Sequence, residues 1–127
     1  MRIIAEGDKG YVYNGRFTGP VRLEMIVEAR EPTEPDVARV HSERGAVTCW
    51  HSHPGGQILV LQSGIGRAGD RSGVRTGLRP GTTIVAEKDE PHWHGADSGS
   101  AAVWLAFTFG VTDWTEDNPL ETGCPPR

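Results

Sequence analysis

Cysteine is scarce in this 127-residue chain: it has two, Cys49 and Cys124. They fit neither a zinc-finger spacing nor a CxxC pair, and two cannot build the disulfide framework of a small secreted domain. Long apolar runs are missing as well. The longest, Ala101 to Val111, falls well short of the ~20 residues that span a bilayer. The opening MRIIAEGDKG meets acid and glycine too early for a signal peptide. No basic cluster of the kind that neutralises phosphates occurs, and formal charge is −4 with both signs dispersed, which argues against nucleic acid as a partner. Linkers, charge blocks and long repeats are lacking too. The expectation is one soluble domain over residues 1–127, with neither membrane nor nucleic acid as partner, in a reducing, cytoplasmic setting.

What the chain does have is turn formers, 17 glycines and 9 prolines, between short apolar segments. Residues 21–27 (VRLEMIV) put Val21, Leu23, Met25 and Val27 on one face and Arg22 and Glu24 on the other, the period of a strand. Further strands are expected at 37–42, 46–53, 57–63, 65–69, 74–78, 82–87 and 101–109, parted by Gly-rich breaks. Many short strands at close spacing imply an all-β antiparallel sandwich or barrel. A turn or two of helix is expected within 113–118, stopped by Pro119. The final ETGCPPR is expected to be loose or docked on a partner subunit.

Four of the five histidines fall in two His-x-His pairs, His51/His53 and His92/His94. A shuffled chain would hold about 0.16 such pairs, so two call for an explanation. On a strand, residues i and i+2 face the same way, so two imidazoles at that spacing can converge on one ion; a helix would need i and i+4. Pro54-Gly55-Gly56 then reverses the chain and starts the next strand at Gln57, whose carbonyl oxygen is a neutral ligand for a divalent ion. One His-x-His alone would read as polar positions at a strand end. Two, with a glutamine after a tight turn, favour a metal.

The run Gly45-x5-His51-x-His53-x3-Gln57-x6-Gly64 resembles the first motif of the cupins, with glutamine where glutamate is commoner. Pro80-Gly81 followed by TTIVAEKDEPHWHGA resembles the second motif, whose histidine falls on His92. The likeness covers roughly residues 36–109 and is similar above all to a subgroup of single-domain cupins that includes bacterial manganese-dependent hydroxynitrile lyases. It implies a double-stranded β-helix, or jelly-roll barrel, with a core over about residues 20–110 and a short helix and tail beyond. It also implies a metal held by His51, His53, Gln57 and His92, and a homodimer. Two departures stand out: Glu87-Lys88-Asp89 replaces the usual Pro-x-Gly, and Ala96 stands where the motif often ends in Asn.

His94 shares a face with His92 and is expected in the same cavity as a fourth imidazole, a supporting group or a general base. On the last strand Trp104, Ala106 and Thr108 share a face, which the resemblance makes a cavity wall; the hydroxynitrile lyases are expected to carry a polar, histidine-bearing wall there. Thr108 is, after His94, the second candidate for catalysis. Val40 and Ser42, with Ala38, would line the opposite wall, so the expected substrate pocket is Val40, Ser42, Trp104 and Thr108. Trp50 should pack outside the cavity, Cys49 fills space on the ligand face, and His41 lies at the surface. Three imidazoles and a neutral oxygen leave the charge of one divalent transition metal (Mn, Fe, Ni, Co or Zn) uncompensated, which suits Lewis-acid chemistry on a small oxygen-bearing molecule: lyase, isomerase or cyclase. An Fe(II) dioxygenase and a non-catalytic small-ligand binder are the alternatives.

Overall fold

Glycine and proline punctuate the chain, and the regular structure between them is almost all short strands. The structure, a computed structural model, describes residues 1–5, 10–12, 17–115 and 117–122. Among these the strands are β1 (Gly10–Val12), β2 (Val21–Val27), β3 (Asp36–Ser42), β4 (His51–Ser52), β5 (Gln57–Gly64), β6 (Gly66–Asp70), β7 (Gly73–Leu78), β8 (Thr83–Ala86), β9 (Trp93–Ala96), β10 (Ala102–Thr108) and β11 (Asp113–Trp114); α1 is a single turn at Pro119–Thr122. They form a six-stranded sheet in the order β1-β2-β3-β10-β5-β8, a three-stranded sheet β7-β6-β9 and the pair β11-β4. Every pairing is antiparallel.

The alternation legible in the sequence sets the inner face of the large sheet. On β5 Gln57, Leu59 and Leu61 are buried while Ile58 and Gln62 are exposed. Val40 on β3 and Ala102, Trp104 and Ala106 on β10 join the two leucines in one core. Trp104 joins the sheets. Its indole N–H donates to the Gly95 carbonyl of β9 at 3.0 Å, and Gly66 of β6 leaves room for the ring, since a Cβ there would stand 2.6 Å from it. Truncating such a fully buried aromatic costs about 3–5 kcal/mol.

Three local expectations need correction. Residues 46–53 are not one regular strand: four steps from Val47 to His51 lie opposite three from Gly95 to His92, so the segment carries one extra residue before β4. Such a bulge reverses the alternation. Thr48 therefore lines the cavity with His51, whereas Cys49, although buried, does not. Second, β9, which begins one residue after His92 and carries His94, lies outside the ranges expected for strands. Third, residues expected to be helical include β11, and the helix begins at Pro119 instead of stopping there. Proline fits a first helical position because its missing N–H would have no partner, and the Asn118 side chain accepts the next amide, that of Leu120, at 2.8 Å.

Trp50 packs with Val47 and Trp93 in a separate buried cluster, away from the cavity. His41 is half-buried, 3.1 Å from Glu24, which also pairs with Arg39 at 2.7 Å. Cys124 and the rest of 123–127 lie outside the described residues. No helix among the described residues is long and apolar enough to cross a membrane.

Candidate metal centre and its cavity

The two His-x-His segments are neighbours. His51 and His92 exchange backbone hydrogen bonds, His51 N–H to the His92 carbonyl at 3.0 Å and His92 N–H to the His51 carbonyl at 2.9 Å. That reciprocal pair brings side chains from β4 and the approach to β9 face to face. The ligating atoms of His51, His53 and His92 all lie within 4.8 Å of one another, and all three rings are buried. The Pro54–Gly56 turn delivers the fourth donor. Gly56 N–H closes on the His53 carbonyl at 3.0 Å, and Gly56 holds φ at +83°, where a side chain would also meet the Ala86 carbonyl at 2.7 Å. Gln57 then starts β5 opposite Thr108 of β10.

Hydrogen bonds assign the imidazole atoms. His51 Nδ1–H donates to the Cys49 carbonyl at 2.8 Å and His92 Nδ1–H to the Glu90 carbonyl at 2.9 Å. A carbonyl can only accept, so both neutral rings keep a lone pair on Nε2. His53 Nδ1 meets the Thr112 hydroxyl at 3.0 Å, and its Nε2 is buried with no hydrogen-bond partner. The Gln57 amide nitrogen donates to Thr108 Oγ1 at 2.8 Å. This points its oxygen at His92 Nε2, 2.9 Å away. The Gln57 amide thus stands among imidazoles with free lone pairs, a donor set of the kind that a divalent transition metal takes.

Electrostatics keep these donors ready. Burial holds His51 and His94 well below the ordinary histidine range, reinforced by the neighbouring imidazoles. Burial likewise lowers His53 to about 4, and it lowers His92. All four are neutral at pH 7, the form that binds metal or accepts a proton.

His94 stands beside the trio without joining it. Its ring centroid is 5.6 Å from that of His51 and 6.1 Å from that of His92. Its Nδ1 is buried with no hydrogen-bond partner. The carbonyl two residues back, that of His92, accepts His51 N–H instead.

His51, His53, Gln57 and His94 open into a cavity of about 150 Å³. Leu23, Met25, Ala38, Val40 and Ala106 give it apolar walls; Thr48, Asp36 and Thr108 add polar groups; Phe17, Thr112 and Trp114 close one side. A larger cavity of about 300 Å³ behind β6–β8 touches this group only through His92. Val40 and Thr108 line this cavity. Ser42 and Trp104 do not line this cavity. Both point inward, but further along the barrel: Trp104 is sealed in the core as a floor beneath His94, with centroids 6.1 Å apart, and Ser42 sits beside Val21 and Ala102, at the edge of a groove elsewhere. Sequence reasoning missed Phe17, Asp36, Thr112 and Trp114. Phe17 bridges Thr48 and Trp114 pairs with His51, contacts between distant segments that nothing local in the sequence announces.

A family model for the cupin domain matches residues 38–108. (R)-Mandelonitrile lyase of Granulicella tundricola is 36% identical over 104 residues, 79% of this chain and 79% of that protein. A cupin-like protein of Thermotoga maritima superposes with a TM-score of 0.71 at 32% identity, over 90% of this chain and 88% of that one. The polyketide cyclase RemF of Streptomyces resistomycificus shares the fold at TM-score 0.68 and 10% identity, over 91% of this chain and 85% of that one. Matched from β3 through β10, with its histidine pairs brought together inside a jelly-roll barrel, the chain belongs to the cupin family.

Proposed function

We propose that this cupin is a metal-dependent lyase that breaks or makes a carbon–carbon bond beside a hydroxyl in a small organic molecule. His51, His53, Gln57 and His92 hold one divalent transition metal per chain. The observation that carries this reading is the gathering of three buried imidazoles whose ligating atoms lie within 4.8 Å of one another, with the Gln57 amide 2.9 Å from one of them, donor types that a divalent transition metal takes. The bound ion supplies Lewis acidity, stabilising negative charge on a substrate oxygen. The four protein donors are neutral, so they would offset none of the charge of such an ion.

The chain's own residues do the rest. Thr108 holds the Gln57 amide with its oxygen toward the imidazoles. His94, neutral and lining the same cavity, takes the hydroxyl proton in the cleavage direction and returns it in the reverse. The apolar walls hold the body of a molecule of modest size; a cavity of about 150 Å³ is comparable to one that accepts a benzene ring. Likeness to a mandelonitrile lyase supports cyanohydrins as the substrate class. In that case the bond to the nitrile carbon breaks, cyanide leaves with its electron pair, and the hydroxyl-bearing carbon becomes an aldehyde. The same reading makes the protein a cytoplasmic homodimer, with Ile58 and Val85 exposed on the outer face of the large sheet; sedimentation equilibrium checks the stoichiometry.

Protein purified without chelator should contain about one transition metal per chain and should release an aldehyde from an aromatic cyanohydrin, read by ultraviolet absorbance. His94→Ala should keep its metal and lose turnover. A chain that takes up no metal on reconstitution, or that consumes dioxygen instead of releasing aldehyde, overturns the proposal. Binding without turnover, indifferent to His94, would make it a ligand-binding module instead.

A further inference from the structure

Two of the three clustered imidazoles are oriented by their own strands, and the third is not. His51 and His92 each donate Nδ1–H to the carbonyl two residues earlier. His53 does not do the same: the carbonyl two residues before it, that of His51, accepts His92 N–H. Its Nδ1 is met instead by the Thr112 hydroxyl, 59 residues along the chain, at 3.0 Å.

Thr112 begins a strap that follows β10 and lies outside the matched cupin segment. The strap is fastened to the segment bearing the first histidine pair. Asp113 and Trp114 pair with Ser52 and His51. Thr115 donates from its amide at 3.1 Å and its hydroxyl at 3.0 Å to the Trp50 carbonyl, and Trp50 N–H donates to the Asp117 carbonyl at 3.0 Å. The Trp114 ring lies over His51 with centroids 4.6 Å apart and meets Phe17 edge to face at 5.8 Å.

We infer that Thr112 is the positioning residue for His53, and that docking of the strap on β4 sets the third imidazole of the centre. The inference rests on the metal-binding part of the proposed function and not on the reaction. Accepting Nδ1–H does two things. It fixes the ring about its outer side-chain torsion, which is otherwise broad. It also keeps the lone pair on Nε2, the buried atom without a partner. Without the acceptor the ring turns and the proton is shared between the two nitrogens, so only part of the population presents a complete donor set.

The test uses the full chain with cobalt(II) as probe, its binding followed by visible absorption, and three variants. Thr112→Val keeps the shape and removes the acceptor, Thr112→Ser keeps the hydroxyl, and Thr112→Ala stands in if valine disturbs the strap. Partners of this kind are worth about 10–100-fold in metal affinity, so valine should weaken binding by that factor while serine stays within about threefold of the parent. A second readout needs neither metal nor activity. NMR of labelled histidine in the metal-free protein should show His53 protonated at Nδ1 in the parent and serine proteins and mixed in the valine protein. Unchanged cobalt affinity in a folded valine protein, or an unchanged His53 tautomer, overturns the inference. A parent protein that binds no cobalt sinks the metal reading itself, and the tautomer measurement still decides the Thr112–His53 bond.

Discussion

Replacing His94 by leucine should raise stability while abolishing turnover. The His94 side chain is 2% exposed and its Nδ1 has no hydrogen-bond partner, so the folded state buries a polar atom uncompensated. A buried unsatisfied group costs about 1–3 kcal/mol, and exchange for an apolar group of similar shape is neutral or favourable. The neighbours suit leucine: Trp104 packs edge-on to the imidazole at 6.1 Å and Ala106 and Val40 line the same cavity. If leucine recovers about 1 kcal/mol, Tm rises by roughly 3–5 °C for a chain of this size. The same change removes the proton carrier, and general acid–base catalysis typically contributes 10²–10⁴-fold, so kcat should fall by about that factor. Metal content should hold, because His94 lies outside the clustered trio. Calorimetry, aldehyde release and elemental analysis on one preparation decide the matter. A variant less stable by more than about 1 kcal/mol, or one that keeps turnover, would show that the imidazole is a structural group and refute the reasoning.

Gln57→Glu adds a negative charge to the buried donor set 2.9 Å from His92; opposite charges attract more strongly there than in water, offset in part by the cost of burying the carboxylate, so cobalt should bind roughly tenfold or more tightly while cyanohydrin cleavage slows. Metal-free protein should lose stability as pH falls from 6.5 toward 4. Burial lowers the folded-state pKa of His51, His53, His92 and His94, so the unfolded chain binds more protons across that window; the His53 shift to about 4 alone corresponds to about 3 kcal/mol, and urea titrations at stepped pH should show the decline. Asp89 sits at φ +60°, so Asp89→Val should destabilise by about 1–2 kcal/mol and Asp89→Gly should not, as read by denaturant midpoints.

Period-two alternation made the inner face of the large sheet readable in advance, because β3 and β10 pair in unbroken register, β2 keeps its register as far as Met25 and β5 as far as Leu61. Parity gives the face a side chain takes, not its depth along the barrel. Trp104, Ala106 and Thr108 share a face, yet Trp104 is buried in the core and only Ala106 and Thr108 reach the cavity. The two histidine pairs were conspicuous as a pattern, but the extra residue before β4 was not, since a bulge is defined by the opposing strand. Thr48 and Cys49 consequently exchange the places that simple alternation assigns. Asp89 shows the reverse case. The second motif lacks its usual glycine there, yet the turn forms with Asp89 in the left-handed conformation, which aspartate tolerates better than most residues. Thr112 and Trp114 reach the centre through tertiary contacts alone, and no local pattern announces them.

The four candidate donors are spread over the architecture: His51 belongs to the β11-β4 pair, Gln57 to the six-stranded sheet, and His92 is bridged to His51 at the entrance to β9 of the three-stranded sheet. An ion held by all of them would act as a rivet between two pieces, the large sheet with Gln57 and the smaller sheets, which the His51–His92 hydrogen bonds already join to each other. Its escape would require those pieces to part, so release should be slow and should keep pace with unfolding, and loaded protein should resist proteolysis far longer than its equilibrium stability alone suggests.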